Sequence, residues 1–222
     1  MNLTKPLNKY FDHTILKADA LPSQIEELCK EALEYEFYSV CVNSCNVDLC
    51  AKLLKNSEVK IAAVVGFPLG ACTTATKAFE TEDACKAGAS EIDMVINVGA
   101  LKAKDYNYVL KDIKAVVDSA SKYDAIVKVI IETCLLTDNE KVKACQLSEE
   151  ANAAFVKTST GFSSAGATRE DIALMKSTVG DRLQVKASGG IRDYKTTIEM
   201  IKAGADRIGA SASVKIMESE DK

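Results

Sequence analysis

The sequence is poor in the features that mark metal-dependent proteins. It contains a single histidine, His13, so a site with several histidine ligands is impossible. None of its eight cysteines forms a Cys-x-x-Cys pair, and no group of aspartates and glutamates indicates a Mg²⁺ site. A lone histidine is usually structural or exposed. We therefore predict neither a metal ion nor a cofactor.

Strongly basic stretches and long apolar runs are also missing. The chain has 28 Lys+Arg against 32 Asp+Glu, a net charge of −4, which argues against nucleic-acid binding. No apolar run reaches the length of a membrane span, and the N-terminus lacks a signal-peptide core. We expect a cytoplasmic protein with no nucleic-acid or membrane partner. Its cysteines should be reduced and structural, and Cys41, near a strand end, is the one most apt to face a site.

Short apolar runs alternate with longer amphipathic stretches along the whole chain. This alternation indicates a parallel sheet covered by helices, and eight units predict an α/β fold, a (β/α)8 TIM barrel, in one domain of residues 1–222. The candidate strands are 10–16, 38–43, 60–66, 91–97, 126–132, 153–159, 183–188 and 206–211. The candidate helices are 22–35, 46–55, 73–87, 104–121, 138–151, 168–178 and 193–203.

Two segments half a barrel apart repeat one pattern. Residues 86–93 read KAGASEID and residues 202–209 read KAGADRIG. Each predicts a helix end, a glycine cap at Gly88 or Gly204, and entry into a strand. Either the common need for glycine in such loops or an internal duplication explains the likeness.

Three lysines interrupt apolar runs that are predicted to be buried strands: Lys128, Lys157 and Lys186. A buried ammonium is costly, and both burial and a neighbouring positive charge favour the neutral amine. Lys157 and Lys186 lie on adjacent predicted strands, about 4.8 Å apart, so their repulsion should leave one amine neutral and the other cationic. Lys128, one strand further back, adds to the field. A neutral amine condenses with carbonyls, which indicates imine chemistry.

A carboxylate accompanies these lysines. Asp93 interrupts the apolar run of the fourth strand, where an unpaired charge is expensive and a lysine would compensate it. The pair either transfers protons during imine formation or is a structural ion pair. Asp12, on the first strand, is a further candidate charge partner.

Glycine and hydroxyl residues follow the last three predicted strands. Ser188-Gly189-Gly190 follows strand seven, and Gly209-Ala210-Ser211 ends strand eight. Loops at these barrel positions commonly bind phosphate through backbone N–H groups, although a Gly-Gly pair alone usually indicates only a turn. Thr158 and Gly161, in the loop after strand six, are candidates for further donors. Arg192 either assists phosphate binding or lies on the surface.

Several of these motifs closely resemble those of deoxyribose-phosphate aldolases. The resemblance extends from Asp12-His13-Thr14 to Ser211 and rests on six runs. They are VVGFPLG at 64–70, EIDMVIN at 91–97, KVIIET at 128–133, FVKTSTGF at 155–162, KASGGIR at 186–192 and RIGAS at 207–211.

The resemblance implies a class I, metal-free aldolase that reversibly cleaves 2-deoxy-D-ribose 5-phosphate to acetaldehyde and D-glyceraldehyde 3-phosphate. Lys157 matches the imine-forming lysine, Lys186 the lysine that tunes it, and Asp93 the proton-transferring carboxylate. It also suggests a homodimer. The candidate substrate-binding residues are Asp12, Thr158, Gly161, Gly189, Gly190, Gly209, Ser211, Lys128 and Cys41.

The sequence departs from some relatives at the phosphate end. Ala212 stands where they have a second serine, a donor that is either lost or supplied by Ser213. Phe162 replaces a lysine after the Thr-Gly of the Schiff-base motif, and the tail 217–222 lacks a tyrosine. Rival hypotheses are another imine-forming barrel aldolase, a sugar-phosphate isomerase that uses carboxylate bases, and a non-catalytic sugar-phosphate binder.

Overall fold

A computed structural model describes residues 3–219 and has the predicted closed barrel of eight parallel strands. Each strand pairs with the next, and β8 pairs with β1 to close the barrel. The strands are β1 (Phe11–Ile15), β2 (Ser39–Asn43), β3 (Lys60–Val65), β4 (Glu91–Val95), β5 (Ile126–Ile130), β6 (Phe155–Lys157), β7 (Gln184–Ser188) and β8 (Arg207–Ala210). The prediction of a TIM barrel is confirmed.

Helices connect the strands around the outside. They are α1 (Pro22–Glu34), α2 (Val47–Leu53), α3 (Thr74–Ala87), α4 (Val98–Lys102), α5 (Tyr106–Ser121), α6 (Asp138–Glu150), α7 (Arg169–Val179), α8 (Tyr194–Ala203) and α9 (Ser213–Glu218). All seven predicted helices are present, and Gly88 and Gly204 end α3 and α8 in the left-handed conformation, as the repeated pattern predicts.

Two short helices, α4 and α9, were not predicted. The fourth strand was expected to run to residue 97, but the side chain of Asn97 accepts a hydrogen bond from the Ala100 amide and starts α4. Asp105 in the same way accepts from the Tyr108 amide and starts α5. The strand therefore ends at Val95, and Asn97 caps the helical turn that follows.

The molecule has an apolar core outside the barrel and a mainly charged interior. The larger core lies between the sheet and the helices, whereas a small cluster inside contains Cys41, Ala62 and Val64. Because side chains alternate along a strand, the inward positions hold most of the polar residues discussed below. In residues 3–219 no helix is long and apolar enough to cross a membrane.

Candidate active site

A cavity of about 240 Å³ opens at the carboxyl ends of the strands, where barrels of this kind have their sites. Its floor is reached by Lys157, at the last position of β6. Its wall comes from the loops after β1, β6, β7 and β8. The lining residues are Thr14, Ile15, Leu16, Lys17, Lys157, Thr160, Gly161, Phe162, Ser188, Gly189, Gly190, Ile191, Arg192, Gly209, Ala210 and Ser211.

Below the cavity, the barrel interior holds a network of seven charged side chains, which we term the barrel cluster. All of them are at most 3% exposed, so each charge must be balanced within the cluster. Three are carboxylates and four are basic. The members are Asp12, Glu91, Asp93, Lys128, Lys157, Lys186 and Arg207.

Asp93 is the carboxylate that all three predicted lysines share. Its Oδ2 atom accepts hydrogen bonds from Lys157 Nζ and from Lys186 Nζ, each at 2.7 Å. Its Oδ1 atom accepts from Lys128 Nζ at 2.7 Å. The amines of Lys157 and Lys186 thus lie within two hydrogen-bond lengths of each other, on the same interior face of the barrel.

Deeper in the barrel, Asp12 and Glu91 hold the remaining cations. Asp12 contacts Lys186 Nζ through Oδ2 and accepts from Arg207 Nη1 through Oδ1 at 2.8 Å. Glu91 lies 2.6 Å from Lys128 Nζ and 3.4 Å from Arg207 Nη1. The Arg207 guanidinium also stacks on Tyr38, 3.4 Å from the ring centre. Sequence reasoning missed Glu91 and Arg207, because both stand at strand starts beside polar residues.

The pKa directions within the cluster separate Lys157 from the other bases. The pKa of Lys157 is lowered, chiefly by burial, with the Lys186 ammonium acting in the same direction against the attraction of Asp93. The carboxylates around them raise the pKa of Lys128 and of Lys186 despite their burial. The same cations hold the pKa of Asp93 well below its usual range against the effect of burial.

Charge balance within the barrel cluster also favours Lys157 as the base that lacks a proton. With three ionised carboxylates, the cluster is neutral when Lys128, Lys186 and Arg207 carry protons and Lys157 does not. The repulsion expected between the paired lysines therefore acts in the predicted direction, but burial of Lys157 is the larger cause of its lowered pKa.

The predicted residues divide into those that line the cavity and those behind it. Six line it: Lys157, Gly161, Gly189, Gly190, Gly209 and Ser211. Asp12, Asp93 and Lys186 lie in the layer behind Lys157 and act on the cavity through its amine. A side chain at Gly209 would bring its Cβ to 3.0 Å from Lys186 Cε, so this glycine leaves room for that lysine.

Besides Asp12, three more predicted substrate-binding residues do not line the cavity. Lys128 is fully buried in the cluster, and its ammonium is held by carboxylates. Cys41 is fully buried with its sulfur 4.0 Å from Asp93 Oδ2, and burial raises the pKa of its thiol. The Thr158 hydroxyl donates to the Ser188 carbonyl at 3.1 Å and accepts from its amide, so it joins β6 to β7. The polar groups of these three residues thus contact other parts of the protein and do not face the cavity.

The end of the cavity that is predicted to bind phosphate is formed mostly by backbone. Gly161 and Gly190 have φ of +85° and +79°, and neither N–H donates to an acceptor within residues 3–219. Ser213 does not replace the missing serine, because it is buried and its hydroxyl donates to the Ala210 carbonyl at 3.0 Å. Lys17 and Arg192 are the cationic side chains at the wall other than Lys157. Lys17 was not predicted, since it stands in a loop with no marking pattern.

Phe162, which packs against Phe67, forms one side of the mouth. Phe162 is 55% exposed and packs edge-to-face on Phe67, with ring centres 5.3 Å apart. The position where some relatives have a lysine thus presents an apolar surface to the cavity. Of the tail 217–222, residues 220–222 lie outside the described residues, and Met217 and Glu218 end α9.

Residues 3–219 contain no group of three or more histidine, cysteine, aspartate or glutamate side chains arranged to hold a metal ion. The three cluster carboxylates face ammonium and guanidinium groups instead. The arrangement therefore provides an amine with a lowered pKa at the cavity floor, with charged groups behind it and backbone donors above it.

Comparison with known proteins gives one consistent family. The profile described as DeoC/LacD family aldolase matches residues 7–221. The chain is 64% identical to a deoxyribose-phosphate aldolase of Clostridium perfringens over 214 residues, 96% of this chain and 95% of that protein. An enzyme of the same name from Clostridium tetani is 61% identical over 212 residues, 96% of this chain and 98% of its own.

Solved structures agree with the fold and the family. A crystal structure of a putative deoxyribose-phosphate aldolase from Coccidioides immitis superposes with a TM-score of 0.96 at 41% identity, covering 100% of this chain and 89% of that one. The deoxyribose phosphate aldolase of Aeropyrum pernix, described as tetrameric, gives a TM-score of 0.91 at 32% identity, covering 97% and 91%.

Proposed function

The chain belongs to the DeoC/LacD family of aldolases, and we propose on that premise that Lys157 forms the Schiff base of its reaction. The reaction is that of a class I aldolase, an aldehyde-lyase. It reversibly cleaves 2-deoxy-D-ribose 5-phosphate to D-glyceraldehyde 3-phosphate and acetaldehyde.

One observation carries the assignment of Lys157. Of the three lysines in the barrel cluster, it alone lines the cavity, and its pKa is lowered whereas those of Lys128 and Lys186 are raised. A nucleophilic amine must be both neutral and able to reach the substrate. Lys157 reaches the cavity and has the pKa shift that favours the neutral amine, whereas Lys128 and Lys186 lie behind it and have the opposite shift.

The proposed chemistry starts with attack of the Lys157 amine on the open-chain aldehyde. A proton moves from nitrogen to oxygen and gives a carbinolamine, whose hydroxyl takes up a second proton from the Lys186 ammonium and leaves as water, so that an iminium ion forms. The hydroxyl on carbon 3 then loses its proton, the bond between carbons 2 and 3 breaks, and its electron pair moves into the iminium. Glyceraldehyde phosphate departs, carbon 2 of the remaining enamine takes up a proton, and water releases acetaldehyde and the free amine.

Asp93 and Lys186 would serve this sequence in different ways. The depressed pKa of Asp93 keeps it ionised, so it stabilises the iminium cation next to its Oδ2 atom. The raised pKa of Lys186 keeps it an ammonium, which makes it the nearest proton donor. Lys186 is thus proposed to donate and take back protons, whereas Asp93, to which the family resemblance assigns proton transfer, would act as the counter-ion.

The same geometry argues against the isomerase alternative. An isomerase of that type needs a carboxylate base in contact with the substrate. Asp12, Glu91 and Asp93 do not line the cavity, and each is engaged by two or three cations. Their charge is therefore committed to lysine and arginine partners.

Phosphate binding is proposed to rest on the loops after β6, β7 and β8. The free amides of Gly161 and Gly190 and the hydroxyl of Ser211 offer donors, and helix and loop N–H groups bind anions well. Lys17 and Arg192 supply positive charge from the wall. Phe162 adds no donor through its side chain, so backbone groups would carry a larger share of recognition.

Borohydride reduction in the presence of acetaldehyde tests the covalent step. We expect one lysine to become N-ethylated, a net gain of C2H4, and peptide mass spectrometry should locate it at Lys157. The peptides with Lys128, Lys186 and the buried Lys77 of α3 serve as internal controls. The Lys157→Met variant should lose the adduct and the activity; modification at another buried lysine would contradict the assignment.

We also propose that the barrel is the whole catalytic unit, residues 1–222, and that it works as a homodimer in the cytoplasm. The Aeropyrum pernix relative is described as a tetramer, which makes a tetramer the main alternative to a dimer. Light scattering on the purified enzyme at working concentration would decide between a dimer and other states.

A further inference from the structure

Glu132 is a buried carboxylate that the imine chemistry does not use. It follows β5 by two residues and is 3% exposed. Within residues 3–219 no lysine, arginine or histidine nitrogen lies within 4.0 Å of it, in contrast to the carboxylates of the barrel cluster. A carboxylate buried without a cation must be satisfied by hydrogen bonds.

The backbone at Glu132 is held in an uncommon conformation. Its φ of +56° and ψ of +66° lie in the left-handed region, which costs energy for a residue with a side chain and recurs at functional sites. The carboxylate bonds to the loop after β6. It accepts from the Thr160 hydroxyl at 2.5 Å and from the Thr160 amide at 3.3 and 3.4 Å.

These bonds fix the loop on both sides of Gly161. The Thr160 hydroxyl, oriented by Glu132, accepts from the Phe162 amide at 3.1 Å. The amides of Thr160 and Phe162 are thereby occupied, and the Gly161 N–H between them has no acceptor in the described part of the chain. Gly161 lines the cavity with φ of +85°, and Glu132 does not line it.

We propose that Glu132 is a positioning residue for the substrate's phosphate group. By accepting from the hydroxyl and the amide N–H of Thr160, it locks the loop so that the Gly161 N–H is left for the anion. This role rests on the proposed function and deepens it. It explains how the loop after β6 keeps a shape that binds phosphate, although the side chain of Phe162 supplies no positive charge.

Two kinds of substitution separate this role from a structural one. Glu132→Gln keeps the shape and removes the charge, whereas Thr160→Val removes only the hydroxyl and Thr160→Ser retains it. We expect Glu132→Gln and Thr160→Val to raise KM for 2-deoxyribose 5-phosphate about tenfold, because a hydrogen bond to a charged group is weakened, with kcat changed less than about twofold. Thr160→Ser should restore affinity relative to Thr160→Val.

The non-phosphorylated sugar 2-deoxyribose provides the decisive comparison. Its kcat/KM should be nearly unchanged in Glu132→Gln and Thr160→Val, because it has no phosphate for the loop to hold. Asp112→Asn is the matched control: this buried carboxylate pairs with Lys77 outside the barrel, so its loss should lower Tm without changing the ratio between the two sugars.

Equal losses on both sugars would overturn the positioning role and make Glu132 structural. If Glu132→Gln does not fold, the pair of Thr160 variants carries the test alone, and an unchanged KM in Thr160→Val would reject the proposal. Failure of the proposed function is distinguishable, because the unmodified enzyme would then cleave neither sugar and form no borohydride adduct.

Discussion

The floor and the mouth of the cavity differ in where their charged and polar groups lie. At the floor, seven charged side chains are almost completely buried and neutralise one another. At the mouth, the candidate phosphate donors are backbone amides, the cations Lys17 and Arg192 are exposed, and an aromatic residue projects into the opening. Buried charges interact strongly over several ångströms, whereas exposed ones are screened by water and salt. Substitutions at the floor should therefore have larger effects than substitutions at the mouth.

The largest effect is expected from Asp12→Asn. This change leaves Lys186 and Arg207 short of a partner inside the barrel, and breaking a buried ion pair costs about 3–5 kcal/mol. We expect the free energy of unfolding, measured in urea, to fall by about that amount. The same substitution at Asp48, in an exposed pair with Lys52, should change it little. Equal effects at both positions would remove the contrast between floor and surface.

Lys186→Leu should shift the pH dependence of activity. Without this cation, the cluster is balanced only if Lys157 holds a proton, so the pKa of Lys157 rises and its neutral form is reached at higher pH. The acid limb of the kcat/KM profile should move to higher pH, and activity near neutrality should fall about 10²-fold. A move to lower pH would show that Lys186 does not repel the Lys157 proton.

Phe162→Lys tests the mouth and should have the smallest effect. A cation at this position can meet the phosphate directly, so KM for the phosphorylated sugar should fall about three- to tenfold, with the gain declining as salt rises. Phe79→Lys is the matched control, because Phe79 on α3 is also exposed and is absent from the cavity wall. An equal change in both variants would indicate a general effect of net charge.

The sequence revealed the barrel and the floor better than the mouth. A charged residue within an apolar strand is visible without coordinates, and Lys128, Lys157, Lys186 and Asp93 all meet in the interior. The depth of each charged side chain along the barrel axis could not be predicted from the sequence, because it depends on the stagger between neighbouring strands. Lys128 pairs in register with Asp93, but Ile130, two residues later, is the partner of Lys157. Lys128 consequently lies below the cavity.

The role of Glu132 was hidden for a different reason. Its residue type at the end of an apolar run gives a weak signal, and its left-handed backbone cannot be read from a glutamate in the sequence. The same limit applies to Ser213, whose hydroxyl turns into its own helix start and not towards the cavity. Contacts made by loops depend on local backbone geometry that no periodicity encodes.

Because the barrel cluster is neutral when Lys157 is unprotonated, a proton can compete with the substrate for the amine of Lys157. The lone pair on Lys157 Nζ can bond to a hydrogen ion or to the carbonyl carbon of the sugar, and either product is a nitrogen cation facing Asp93. Acid and substrate therefore contend for one atom. Asp93 attracts the iminium cation and an added proton alike, and burial and the Lys186 ammonium oppose both, so lowering the pH should act on this protein as a competitive inhibitor does.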